Sequence, residues 1–115
     1  MERGTIVLSR FPFTDLSSTK RRPCVIVSKV ASDKADVIVA FISSVIPVEL
    51  SRTDFLLERG DIDFGETGLR RSSIVKLDKL ATLEKSIFSG EIGKLTDRLM
   101  QEIDLRLMIA LDLNT

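Results

Sequence analysis

Lys20-Arg21-Arg22-Pro23-Cys24-Val25-Ile26-Val27-Ser28 is the segment around which the rest of the chain is best understood. Two arginines stand directly before a proline, and the proline opens an apolar, β-branched run. Such a run, bounded by a turn signal, reads as a buried strand over residues 23–28. Proline is tolerated at the start of a strand because no ladder donor is yet needed there. It also biases Arg22 toward extended geometry. Arg22 is therefore expected where a loop enters a rigid sheet, held by the scaffold yet open to solvent. A guanidinium in that position suits an anionic ligand.

On the N-terminal side, residues 4–9 alternate Thr5, Val7 and Ser9 with Ile6 and Leu8, a first strand. Phe11-Pro12-Phe13 breaks the ladder, and residues 14–20 read as a polar loop. On the C-terminal side, residues 36–43 hold Val37-Ile38-Val39-Ala40-Phe41-Ile42, apolar on both faces and so expected at the centre of a sheet. This strand ends at Ser43-Ser44, where a sheet can present hydroxyls. Residues 53–58 fit a short edge strand, and residues 61–68 an acidic turn. In residues 72–80, Ile74, Lys76 and Asp78 fall on one face and Val75, Leu77 and Lys79 on the other. Lys76 and Asp78 are then neighbours about 7 Å apart. Residues 81–87 continue extended after a bend, and Gly90 and Gly93 bracket a further extended piece.

Thr96 is a good helix N-cap, with Asp97 in the first turn where a carboxylate complements the helix dipole. Leu99/Met100, Ile103, Leu107 and Ala110/Leu111 recur at helical spacing. One amphipathic helix over residues 97–111 follows. Short strands followed by one helix make a small α+β fold, with residues 1–115 as one domain.

Composition narrows the chemistry. The chain carries 43% hydrophobic and 30% charged residues, the balance of a soluble globular protein. It has no Trp, Tyr or His, so its six Phe supply the aromatic bulk. A single cysteine excludes an intrachain disulfide and fits a reducing compartment. Cys24 sits inside the apolar run, where a buried, inert thiol is expected. A Cys/His zinc site is excluded by residue count. Asp61 and Asp63 are the one close carboxylate pair in a loop-like stretch, a weak magnesium candidate. The apolar runs are far short of a membrane span, and Met1-Glu2-Arg3-Gly4 carries no apolar signal region. A cytoplasmic chain without membrane contact is expected.

The net charge of zero conceals segregation. Residues 1–30 hold six Lys/Arg against two Asp/Glu, whereas residues 31–68 hold three against eight. Residues 69–94 return to six against three. Two basic blocks that met in space would make a local anion site. The alternative, that the acidic segment neutralises them, remains open at this level.

Gly4-Thr5-Ile6-Val7-Leu8 followed by Arg22-Pro23-Cys24-Val25-Ile26-Val27 resembles the N-terminal half of the MazF/PemK/Kid toxins of type II toxin–antitoxin systems. The likeness continues through Val39-Ala40-Phe41-Ile42-Ser43-Ser44 and Gly68-Leu69, then through Ser73-Ile74-Val75-Lys76-Leu77-Asp78. It extends into Ala81-Thr82-Leu83-Glu84-Lys85-Ser86 and Ile92-Gly93-Lys94-Leu95-Thr96. No single motif is specific, but the set is in order over nearly the whole chain. The resemblance implies an SH3-like β-barrel with a C-terminal helix, usually a symmetric homodimer. It implies metal-free, cofactor-free cleavage of single-stranded mRNA by attack of the 2′-hydroxyl, leaving a 2′,3′-cyclic phosphate and a 5′-hydroxyl. It also implies a cognate MazE/PemI-like antitoxin that lays an acidic segment along the toxin.

By the same resemblance Arg22 matches the catalytic arginine and Ser43 the catalytic Thr, keeping the hydroxyl and losing the methyl. Lys76 and Asp78 match an Arg-X-Asp acid–base pair, with Asp78 as base and Lys76 as acid or clamp. Lys20, Arg21, Ser44, Arg70 and Arg71 are candidates for the RNA path. Phe11 and Phe13 are candidates for stacking on bases or for the core. The matching loop of several relatives carries a His or Glu that is absent here. Two other readings compete with the ribonuclease. One is an RNA-binding barrel that has lost cleavage. The other is a gyrase-directed toxin resembling CcdB, against which the absence of Trp counts.

Overall fold

The computed structural model describes residues 1–9, 21–32 and 35–113. Lys20, Phe11, Phe13 and the whole of the expected polar loop lie outside the described residues. Among the described residues six strands and one α-helix follow in order: β1 (Thr5–Ser9), β2 (Arg22–Ile26), β3 (Val37–Ser43), β4 (Asp54–Leu57), β5 (Ser73–Leu83), β6 (Phe88–Lys94) and α1 (Asp97–Ala110). Short 3-10 turns occupy Phe64–Thr67, within the expected acidic turn, and Lys85–Ile87, where the sequence suggested extended chain.

The strands form one antiparallel sheet in the order β4-β5-β3-β2-β1-β6. As its two-sided apolar pattern requires, β3 is central, flanked by β2 and β5. The alternation of side chains divides the core in two. Ile6, Val25, Ala40, Ile42, Val75 and Leu77 face α1, whose Leu99, Met100 and Ile103 seal that side. Val7, Cys24, Ile26, Val37, Val39 and Leu83 form a second cluster on the opposite face. Such side chains, each stabilising by ~1.5–3 kcal/mol when fully buried, are what offsets the cost of ordering the chain.

The helix begins as its sequence dictates. The Thr96 Oγ1 accepts the Leu99 N–H at 3.4 Å and donates to Asp63 Oδ2 at 2.9 Å. Arg106 pins the other end: its Nε donates to the Asp54 carbonyl at 2.9 Å, and its guanidinium lies over the Phe55 ring, 4.8 Å from the centroid.

Among the described residues hydrogen bonds do not close the sheet into a complete barrel, and β4 and β6 are its edges. The Phe64–Thr67 turn bridges that side by backbone contact. Gly68 has φ of 73°, and a Cβ there would lie 2.0 Å from the Ile92 carbonyl oxygen. A Cβ on Gly93 would lie 2.4 Å from the Glu66 and Thr67 carbonyl oxygens. Only glycine permits this approach of β6 to the turn. Within β5 the ladder to β3 jumps from Ala40↔Leu80 to Phe41↔Lys76, so Leu77, Asp78 and Lys79 form a bulge. Bulges bend a strand and redirect its side chains. The expected bend after residue 80 thus falls a few residues earlier.

Candidate active site

In an antiparallel sheet, the end of one strand lies beside the start of the next. The C-terminal ends of β1 (Ser9) and β3 (Ser43) therefore share one end of the sheet with the starts of β2 (Arg22) and β5 (Ser73). Arg21, Arg22, Ser44, Arg70 and Arg71, all exposed, gather at that end although nearly fifty positions separate the first from the last. The two basic blocks of the sequence meet there, on β-strand termini.

Register then selects the face. Ser9 pairs with Arg22, Cys24 with Phe41, and Phe41 with Lys76. Lys76 in turn pairs with Asp54 across the β4–β5 ladder. Directly paired residues project to the same side of a sheet. Arg22, Phe41, Lys76 and Asp54 thus share the face opposite α1. Continuing the β2–β3 register by two residues brings Ser43 level with Arg22, on the same side. Arg22 and Lys76 are rooted two strands apart, on the order of 10 Å. Their long side chains are able to converge on one phosphate over that span.

Each group has a distinct setting. The Ser43 Oγ accepts the Val45 N–H at 3.1 Å, which leaves its own proton to donate outward. The Lys76 side chain is 27% exposed, and its Nζ lies 3.8 Å from Asp54 Oδ1. Among the described residues no ion pair joins Lys76 to Asp78. Asp78 is exposed within the bulge. Cys24 lies under this face with no exposure, and burial pushes its thiol up to about 12. Such a thiol is a packing element and not a nucleophile.

The weak magnesium candidate is otherwise engaged. Arg98 Nη2 pairs with Asp61 Oδ1, and Arg98 Nε donates to Asp63 Oδ2 at 2.9 Å. The Thr96 hydroxyl and then the Arg98 guanidinium hold the Asp63 carboxyl below its ordinary range. This group ties the Phe64–Thr67 turn to the start of α1.

Asp54 was missing from the sequence-derived site. It lies in an unremarkable four-residue edge strand, and nothing in the sequence gives the register that sets it opposite Lys76. An acidic residue in a strand that is otherwise apolar was the one available signal.

Comparison with known proteins agrees with this architecture. A model of the PemK-like, MazF-like toxins of type II toxin–antitoxin systems matches residues 2–111. No curated protein sequence matches the chain. Among solved structures, an endoribonuclease from a mycobacterial species, determined with its cognate antitoxin, superposes with a TM-score of 0.77. It is 22% identical, and the match covers 100% of this chain and 98% of that one. The Mycobacterium tuberculosis toxin MazF-mt6 follows with a TM-score of 0.73 at 19% identity, covering 98% of this chain and 100% of that one. MazF from Deinococcus radiodurans gives 0.67 at 16% identity, over 96% and 94%. At these identities the structural matches speak for the fold, whereas the family model, spanning almost every residue, shows descent: this chain belongs to the PemK-like, MazF-like toxins of type II toxin–antitoxin systems.

Proposed function

We propose that the chain is the toxin of a toxin–antitoxin pair and a sequence-specific endoribonuclease that cleaves single-stranded mRNA without a metal. Family membership supports the toxin role. The observation that carries the chemistry is the convergence of Arg22, Ser43 and Lys76 on one face at one end of the sheet. The matching structures named as endoribonucleases share this architecture.

The reaction is in-line attack of a ribose 2′-oxygen on the adjacent phosphorus. The 2′-OH proton passes to a base, the P–O5′ bond breaks, and the departing 5′-oxygen takes a proton from an acid. The products are a 2′,3′-cyclic phosphate and a 5′-hydroxyl. Arg22 supplies a planar, permanently charged fork for two phosphate oxygens as charge builds on them. Ser43 donates its hydroxyl to a phosphate oxygen; with no His in the chain, nothing activates it as a nucleophile. Asp78, exposed in the bulge, is assigned as base, and Lys76 as acid or phosphate clamp. Arg21, Ser44, Arg70 and Arg71 extend the positive end along the RNA backbone, with Lys20 assigned there from the sequence.

Residues 1–115 act as one toxin domain in the cytoplasm, working as a homodimer. A cognate MazE/PemI-like antitoxin with an acidic segment would be attracted to the same basic sheet end and compete with RNA. Among the described residues no helix is long and apolar enough to cross a membrane.

The test is cleavage of a long unstructured RNA in EDTA, with wild type beside Arg22→Ala. Discrete fragments with cyclic-phosphate ends, lost in the variant, are expected. Binding without cleavage by folded wild-type protein would replace the enzyme with an RNA-binding barrel. Cleavage that persists in Arg22→Ala would move the site elsewhere.

A further inference from the structure

We propose that Asp54 is the positioning residue for Lys76, an assignment that rests on the ribonuclease reading above. The pair is set by register, Asp54 standing directly across from Lys76 at the β4–β5 ladder. The carboxylate is 5% exposed and the lysine side chain 27%, so the pair is anchored inward and open outward.

Asp54 is fixed from several sides. Its Oδ2 accepts the Ser51 N–H at 3.0 Å, and its own N–H donates back to the Ser51 carbonyl at 3.1 Å. Its carbonyl accepts Arg106 Nε from α1 at 2.9 Å. The preceding carbonyl, that of Thr53, accepts the Leu77 N–H at 2.9 Å. Carboxylate and lysine strand are thereby locked to one frame.

What is left over is Oδ1. It is buried and among the described residues has no hydrogen-bond partner, and Lys76 Nζ stands 3.8 Å away. That gap is about 1 Å longer than a charge-assisted hydrogen bond, a distance one lysine rotamer adjustment closes. A buried carboxylate with an unfilled acceptor is a poor way to hold two strands together, because apolar residues of similar size would do so at least as well. Lysine has a flexible stem and three donors. One donor turned toward Oδ1 fixes the ammonium over the face shared with Arg22 and Ser43, and two remain for a phosphate. Buried as it is, Asp54 touches no RNA. Its loss should lower turnover and leave RNA affinity in place.

The assay compares wild type, Asp54→Asn, Lys76→Met and the double variant on a defined RNA in EDTA. Asn keeps the size and the Ser51 contact and removes the charge. The expected result is a fall in kcat of about 10-fold or more with KM within about 2-fold. In the Lys76→Met background the same substitution should change nothing further. An unchanged kcat, or an equal loss in both backgrounds, would overturn the proposal. NMR relaxation of lysine side-chain methylenes supplies a readout independent of cleavage and needing no variant. In the wild type, Lys76 should be ordered where the exposed Lys79 is mobile. Equal mobility of the two would overturn the proposal even if Asp54→Asn failed to fold. A wild type that does not cleave RNA would overturn the ribonuclease reading and the kinetic part of this one together. The relaxation data would still decide whether Asp54 holds Lys76, so the two failures remain distinguishable.

Discussion

The two faces of the sheet are made from alternate residues of the same strands, and they are used differently. The face under α1 is apolar along most of its length, with Ile6, Val25, Ala40 and Val75 fully buried. The opposite face starts equally apolar at Val37, Val39, Ile26 and Cys24, then turns polar at Ser9, Arg22, Ser43 and Lys76. A two-residue period allows this because each residue answers to one face only. Both faces contribute to the core, but only the face opposite α1 carries charge at the end where the strands begin and stop.

If that division holds, substitutions on the two faces should separate activity from stability. Arg22→Ala should lower the cleavage rate by about 10²–10³-fold, the scale of losing one transition-state donor, with Tm within a few degrees of wild type. Ile103→Ala, on the fully buried side of α1, should cost about 2–5 kcal/mol in denaturant unfolding, while kcat of the folded fraction is retained. A large loss of kcat there would show that the two faces are coupled. Cys24, beneath the polar end, tests how tightly that end is packed. With its thiol pushed up to about 12, alkylation at neutral pH should run at least ~1000-fold slower than for a free thiol until the protein unfolds.

The smallest effect is expected far from the polar face, at the Asp63–Arg98 clip. A carboxyl held below its ordinary range stabilises fully above that range, and the contribution is lost as pH falls through the lowered value. Asp63→Asn should therefore flatten the acid decline of Tm below about pH 4 and leave neutral-pH cleavage unchanged. An activity change in this variant would break the contrast, because the clip would then reach the site.

Much of this architecture was legible in the chain. The two-sided apolar run at residues 37–42 marked the central strand, and Thr96-Asp97 marked the start of the helix at the right residue. Local patterns carry such information because each depends on neighbours in sequence. What depended on register was hidden. The bulge at Leu77–Lys79 separates Lys76 from Asp78 in environment, and no propensity rule anticipates it. The Lys76–Asp54 pairing joins two strands across a fifteen-residue connection, and sequence gives the strands but not their alignment. The close approach of β6 to the Phe64–Thr67 turn, at Gly68 and Gly93, is again a matter of spatial neighbours. The Arg22–Ser43 grouping was reached through family resemblance; spacing alone would have left two solvated arginines.

The pairing of Thr5 with Lys94 also bears on time. Strand β1 receives its outer neighbour from the far side of the fold, across nearly the whole length of the sheet-forming sequence. Contacts so remote along the chain must overcome the entropy of closing a long loop before any reward is felt, which places folding in the slower, millisecond-to-second regime of β-rich domains. During that interval the β1 edge stands unpaired and able to accept a strand from another chain. Newly made protein is therefore most exposed to mispairing before it is competent to act.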